Sequence, residues 1–122
     1  MKKQIEQIKE FETAFNIKPS SQDYQVKHKI LMEELDEYLF ANNHNNQTEI
    51  ADAITDILYI AFGLVTKHGL ENIIEDLFSE VHASNMSKLG DDGAPIYRAD
   101  GKVMKGPNYF KPDIAKHLKK LQ

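Results

Sequence analysis

Apolar residues recur every three or four positions through the first 87 residues, and the pattern breaks down after that. Ile5, Ile8, Phe11 and Phe15 trace one face of a first helix over about residues 3 to 16. Pro19-Ser20-Ser21 ends it and offers a cap to the next helix. From Asp23, the positions Val26, Ile30, Leu31, Leu35, Tyr38 and Leu39 define a second amphipathic helix that stops in the turn-forming run Asn42 to Asn46. Thr48 is placed to cap a third, whose stripe of Ile50, Ile54, Ile57, Leu58, Ala61, Phe62 and Val65 is wide enough to be buried on most sides before His68-Gly69 ends it. A fourth, from Glu71 to about Ser87, buries Ile73, Ile74, Leu77, Phe78 and Val81 and turns Glu75, Asp76 and Glu80 to water. Four helices with short loops predict an all-α fold, a four-helix bundle.

Beyond Lys88, seven glycines and prolines fall between Gly90 and Pro112, which excludes a long helix. Ile96-Tyr97-Arg98 and Val103-Met104-Lys105 flank an Asp100-Gly101 pair, the signal for a tight β-hairpin. Such a ribbon is marginal alone, so it is expected to pack as a flap, and Pro112-Asp113 to open a short helix through Leu121. With 122 residues and 41% hydrophobic content, the chain makes a single domain, a helical bundle over 1–88 with a flap and tail over 89–122.

Charge is distributed unevenly. Seven carboxylates and no lysine or arginine lie between Ile30 and Thr66, as Glu33, Glu34, Asp36 and Glu37 and then Glu49, Asp52 and Asp56. The segment from Lys88 to Lys120 carries eight basic residues against four acidic ones. Unpaired negative charge inside amphipathic helices is expensive, so a bound cation is expected among the acids. If the second and third helices pair antiparallel about residue 44 or 45, Glu37 stands level with Asp52 and Glu33 with Asp56. Glu33, Glu34 and Glu37 then edge one face, with Asp36 pointing elsewhere, and Glu49, Asp52 and Asp56 form a single stripe. There is no cysteine, so the ion must be held by oxygen or imidazole, which favours Mg²⁺ with Mn²⁺ possible. The net charge of -4 speaks against a nucleic-acid partner. The polar N-terminus and the lack of a long apolar run predict a soluble, cytoplasmic protein with no membrane partner.

The order Glu33-Glu34-x-x-Glu37 followed by Glu49-x-x-Asp52 resembles the all-α nucleoside triphosphate pyrophosphohydrolases, the MazG-like superfamily. The segments from Asp52 to Tyr59, from Glu80 to Lys88 and from Gly101 to Phe110 are similar to its phosphoribosyl-ATP pyrophosphohydrolase-like branch. An alternative register makes Asp56 the motif aspartate, with Ala53 where a glutamate should stand. The spacer from Glu37 to Glu49 is short for the family, which leaves substrate choice open. The resemblance implies Mg²⁺-dependent hydrolysis of a nucleoside triphosphate, or of a nucleotide like phosphoribosyl-ATP, between the α and β phosphates. Glu34 is the candidate base that takes a proton from the attacking water. Glu33, Glu34, Glu37, Glu49 and Asp52 are the candidate metal ligands, and Asp56 would ligate a second ion or orient a ligand.

Phosphate also needs cations and amide donors. Asn85 and Lys88, three apart, can present both on one side, and the resemblance places them at substrate. Lys102, Lys105 and Tyr109 are candidates for polyphosphate and base on the flap. An incompletely covered third helix predicts self-association as a homodimer or tetramer, in line with the resembling family. The alternative reading is a non-catalytic nucleotide- or metal-binding bundle. The Glu-x-x-His pairs of carboxylate di-iron proteins are missing.

Overall fold

The computed structural model describes residues 1–122 and is all-α. Two compact units divide it, Met1–Asn72 and Ile73–Gln122. No helix is long and apolar enough to cross a membrane.

The first unit holds α1 (Lys2–Ala14), a 3₁₀ turn (Pro19–Ser21), α2 (Tyr24–Asn43) and α3 (Gln47–Lys67). Asp23 caps α2, its Oδ1 accepting from the Gln25 N–H at 2.8 Å. The cap of α3 is Asn46 rather than Thr48: the Asn46 carboxamide oxygen accepts from the Glu49 N–H at 3.2 Å. The reason lies in the turn, where Asn45 takes a positive φ of 52° and lets α3 start two residues sooner than expected. The α2–α3 hairpin is the most extensive helix pairing in the chain, and α1 and the 3₁₀ turn lie against α3. Ile5, Ile8, Ala41, Ala53 and Val65 are buried. The expectation that α3 is buried on most sides is corrected. Ile54, Leu58 and Tyr59 are 44%, 53% and 43% exposed, because α1 and α2 together cover only part of a stripe that wide.

The second unit holds α4 (Ile74–Met86), α5 (Ile114–Leu118) and a closing 3₁₀ turn (Lys119–Leu121). The expected hairpin reduces to an isolated antiparallel bridge between Tyr97 and Val103. Met104 N–H donates to the Ile96 carbonyl at 2.7 Å and Arg98 N–H to the Lys102 carbonyl at 2.8 Å. The turn at Gly101, with φ of 86°, forms as the Asp-Gly pair requires, but the flanking residues are exposed and nothing extends the ladder.

Glu80 ties α5 to α4. Its carboxylate accepts from the Asp113 N–H at 2.9 Å, Lys116 Nζ at 2.7 Å and His117 Nε2 at 3.1 Å. Lys116 above all, then the Asp113 amide and His117, hold its pKa down to about 2. A depressed carboxyl stabilises the fold above the unfolded value of 4.5, and that stability is lost as pH falls through about 2. Glu80→Gln should therefore free α5 at neutral pH, seen as faster amide exchange over residues 115–118. As the pH falls toward 2, exchange in the wild type should converge on that of the variant. Gly106 is fixed by space: its N–H donates to the Lys88 carbonyl at 2.8 Å, and a Cβ there would stand 2.3 Å from the Leu89 carbonyl oxygen.

Candidate functional site

The register of the α2–α3 hairpin decides which carboxylates meet. It is centred on Asn45, so Glu34 and Asp56 stand level across the groove, as do Ile30 with Ile60 and Lys27 with Gly63. Glu34 is half-buried, and its Oε2 is fully enclosed and receives no hydrogen bond. Burial first, then the hydrogen bond and charge of the Glu37 carboxyl, and then the charges of Asp56 and Asp52, push Glu34 above the usual carboxylate range. Four of the sequence-predicted acids, two from each helix, thus act on one another. The charge of Asp56 acts on Glu34 more strongly than that of Asp52 does.

The row continues toward the turn. Glu37 and Glu49 line a cleft of about 720 Å³ together with Asp36, Phe40, Ala41, His44 and Asn46. Asp36, expected to point elsewhere, therefore joins Glu37 and Glu49. It follows Glu33 by three positions and flanks the same face, a spacing the sequence showed. The His44 ring stacks on Phe40 with centroids 4.2 Å apart, and its Nδ1 lies 2.9 Å from the Phe40 carbonyl. Glu33 is exposed, and nothing in the structure ties it to Glu34. No three of these side chains close on a common point as an ion-holding group. Glu33, Glu37, Glu49 and Asp52 are exposed enough to turn. The donor set nevertheless fits a hard divalent cation: all-oxygen ligands, mutual repulsion, and one enclosed carboxylate oxygen with no donor.

The substrate candidates lie in the second unit. Lys88 Nζ donates to Asn85 Oδ1 at 3.0 Å, so the two groups do stand on one side. The segments from Glu80 to Lys88 and from Gly101 to Phe110 come together around them. Ser84 Oγ donates to the Phe110 carbonyl at 2.8 Å, the Phe110 N–H donates to Ser87 Oγ at 3.1 Å, and Gly106 packs on Lys88 and Leu89. Lys105 Nζ sits 4.7 Å from the centroid of the Tyr109 ring, so these two engage each other. Lys102 is exposed near the bridge.

An antiparallel pair of α-helices that brings acids face to face, with the carboxyl of Glu34 raised by its neighbours, defines a class of carboxylate-lined all-α proteins. Within that class the assignment is specific. Residues 1–85 match the family model for phosphoribosyl-ATP pyrophosphohydrolase, and the chain belongs to that family, within the MazG-like nucleotide pyrophosphohydrolase superfamily. The match contains all the acids of α2 and α3 and ends at Asn85. No curated protein matches the chain. The family makes the protein a hydrolase of pyrophosphate bonds of the phosphoribosyl-ATP type.

Proposed function

We propose that the protein hydrolyses a nucleoside triphosphate, or a nucleotide like phosphoribosyl-ATP, between the α and β phosphates in a Mg²⁺-dependent reaction, releasing a monophosphate and pyrophosphate. The observation that carries this reading is Glu34, half-buried and level with Asp56 across the hairpin, with its Oε2 enclosed and without a hydrogen-bond partner. Glu37, Glu49, Asp52 and Asp56, with Glu33 at the edge, would hold Mg²⁺ or Mn²⁺. When bound, the ion neutralises phosphate oxygens and acidifies water. Glu34 sits between the two acidic helices with one oxygen free to accept a proton, and its raised pKa suits it to take one from the attacking water and to release it afterwards. Asn85 and Lys88 offer an amide and an ammonium to phosphate, while Lys102, Lys105 and Tyr109 are further contacts for the polyphosphate and base.

Self-association belongs to the same reading. Phe15, Tyr24 and Phe40 are 65%, 65% and 66% exposed, and Leu39 and Leu58 are more than half exposed, an apolar surface that supports a homodimer or tetramer. The test is a panel of nucleoside triphosphates, with phosphoribosyl-ATP included, assayed for pyrophosphate in the presence of Mg²⁺. Turnover of at least one of them, lost on chelation, is expected; a panel without any pyrophosphate would leave the non-catalytic binding bundle as the better description.

A further inference from the structure

Lys27 is an amine set in a mostly apolar cavity, and the carboxylate chemistry above makes no use of it. The cavity, of about 240 Å³, is bounded by α1, α2 and α3. Phe11, Ile30 and Tyr59 line it and are exposed, so it opens to solvent. Three polar side chains join them: Glu12 from α1, Gln22 from the segment after the 3₁₀ turn, and Lys27, half-buried, from α2.

Space and charge around the Lys27 amine differ from those of an ordinary helix lysine. Gly63 of α3 faces it, and a Cβ there would stand 3.3 Å from Lys27 Nζ. Glycine inside a helix is less favourable than alanine, so α3 gives up stability where it leaves this room. Burial holds the Lys27 pKa below the usual lysine value, with Glu12 pulling it up and Lys67 pushing it further down. A larger share of Lys27 than of an exposed lysine is therefore the free amine at neutral pH, the form that acts as a nucleophile. Glu12 is only 5% exposed, and its Oε1 accepts from the Thr66 hydroxyl at 2.6 Å. Two cations and one anion thus act together, and neutralising Lys27 leaves Glu12 and Lys67 as one of each.

The hydrogen bonds point the same way. Gln22 Nε2 is buried with no partner, while the residue's backbone carbonyl accepts from Lys67 Nζ. Buried polar groups left unmatched in this way are rare. A carboxamide both donates and accepts, but an ammonium only donates, so the charged Lys27 cannot meet the Nε2 group. An N-acyl lysine presents a C=O and an N–H and pairs with a carboxamide in either orientation. The cavity far exceeds the ~30 Å³ of one water molecule and has room for a short acyl group.

We propose that Lys27 is a site of N-acylation, taking a short acyl group such as acetyl from an acyl phosphate. The free Nζ attacks the acyl carbon and the N–C bond forms. The bond from that carbon to the phosphate oxygen breaks, and the phosphate leaves with the electron pair and takes up one amine proton. Lys67 helps to draw the anionic donor, and the Gln22 amide donates to the oxygen on which negative charge develops during attack.

The test is brief exposure of the whole protein to acetyl phosphate at pH 8, with the acetylation of each lysine followed by peptide mass spectrometry. Lys29, exposed on the same helix, is the internal reference. Access alone favours Lys29, whereas Lys27 should be acetylated about ten times faster. In the denatured protein the two rates should converge. Gln22→Met should slow acetylation at Lys27 by about tenfold and leave Lys29 unchanged. Gly63→Ala, which suits the helix but narrows the space over Nζ, should also slow Lys27 alone. Acetylation of Lys27 no faster than of Lys29 in the folded wild type would overturn the proposal whatever the variants do. So would a Lys27 rate that both variants leave unchanged.

Discussion

Glu34→Gln should abolish pyrophosphate release and at the same time raise the melting temperature at pH 8. The first effect follows from removing the only half-buried acid in the α2 cluster and the proton acceptor with it; loss of a positioned base costs about 10²–10⁴ in rate. The second follows from the same interactions that suit the residue to its task. Burial, Glu37, Asp56 and Asp52 all raise the Glu34 pKa, so the folded state holds its proton more tightly than the unfolded chain does. The ionised form therefore destabilises the fold above the raised folded pKa, and the penalty fades as pH falls through that value toward the unfolded 4.5. The gap in melting temperature between variant and wild type should shrink from pH 8 to pH 4. Thermal scans across that range check the sign: a variant less stable than wild type at pH 8 would mean that Glu34 serves the fold rather than the chemistry.

Mg²⁺ should stabilise the wild type strongly and Asp56→Asn weakly. A ligand that binds only the folded state at a hundred times its dissociation constant adds about 2.7 kcal/mol, a large share of what a small domain has. Asp56 faces Glu34 across the groove and outweighs Asp52 in its effect there. Asp56→Asn should thus lower both the Mg²⁺-induced rise in melting temperature and kcat/KM, the latter by about 10–100-fold. Glu33→Gln, at an exposed position with no tie to Glu34, should cost less than either Asp56→Asn or Glu37→Gln. Equal losses at Glu33 and Asp56 would show that the cation sits elsewhere on the acidic face.

The helices were legible because their signals are local. The three- and four-residue spacing located α1 to α4 to within about three residues at each end, and Asp113 caps α5 where Pro112-Asp113 was expected to open it, whereas α2 is capped by Asp23 and not by the Pro19-Ser20-Ser21 run, which forms a 3₁₀ turn of its own. The acids were legible because charge without counter-charge stands out along the chain. What the sequence hid depends on one residue of register. Centring the hairpin on Asn45 brings Glu34 rather than Glu33 opposite Asp56, and periodicity cannot separate a centre at 44 from one at 45. The hairpin signal at Asp100-Gly101 was real but gave only a bridge, since turn chemistry sets a reversal and not the packing that extends it. Glu12, Gln22 and Lys27 were illegible for another reason. Each is a polar residue of a kind common on surfaces, and only the packing of α1 and the 3₁₀ turn on α3 encloses them in one cavity.

The most direct measurement is ³¹P NMR of the products that the wild-type protein forms from a nucleoside triphosphate with Mg²⁺, run beside Glu34→Gln. Nucleoside monophosphate and pyrophosphate in equal amounts from the wild type, and unchanged substrate from the variant, are the expected outcome. Nucleoside diphosphate with inorganic phosphate, or equal turnover by the variant, would contradict the assignment of the α2–α3 carboxylates.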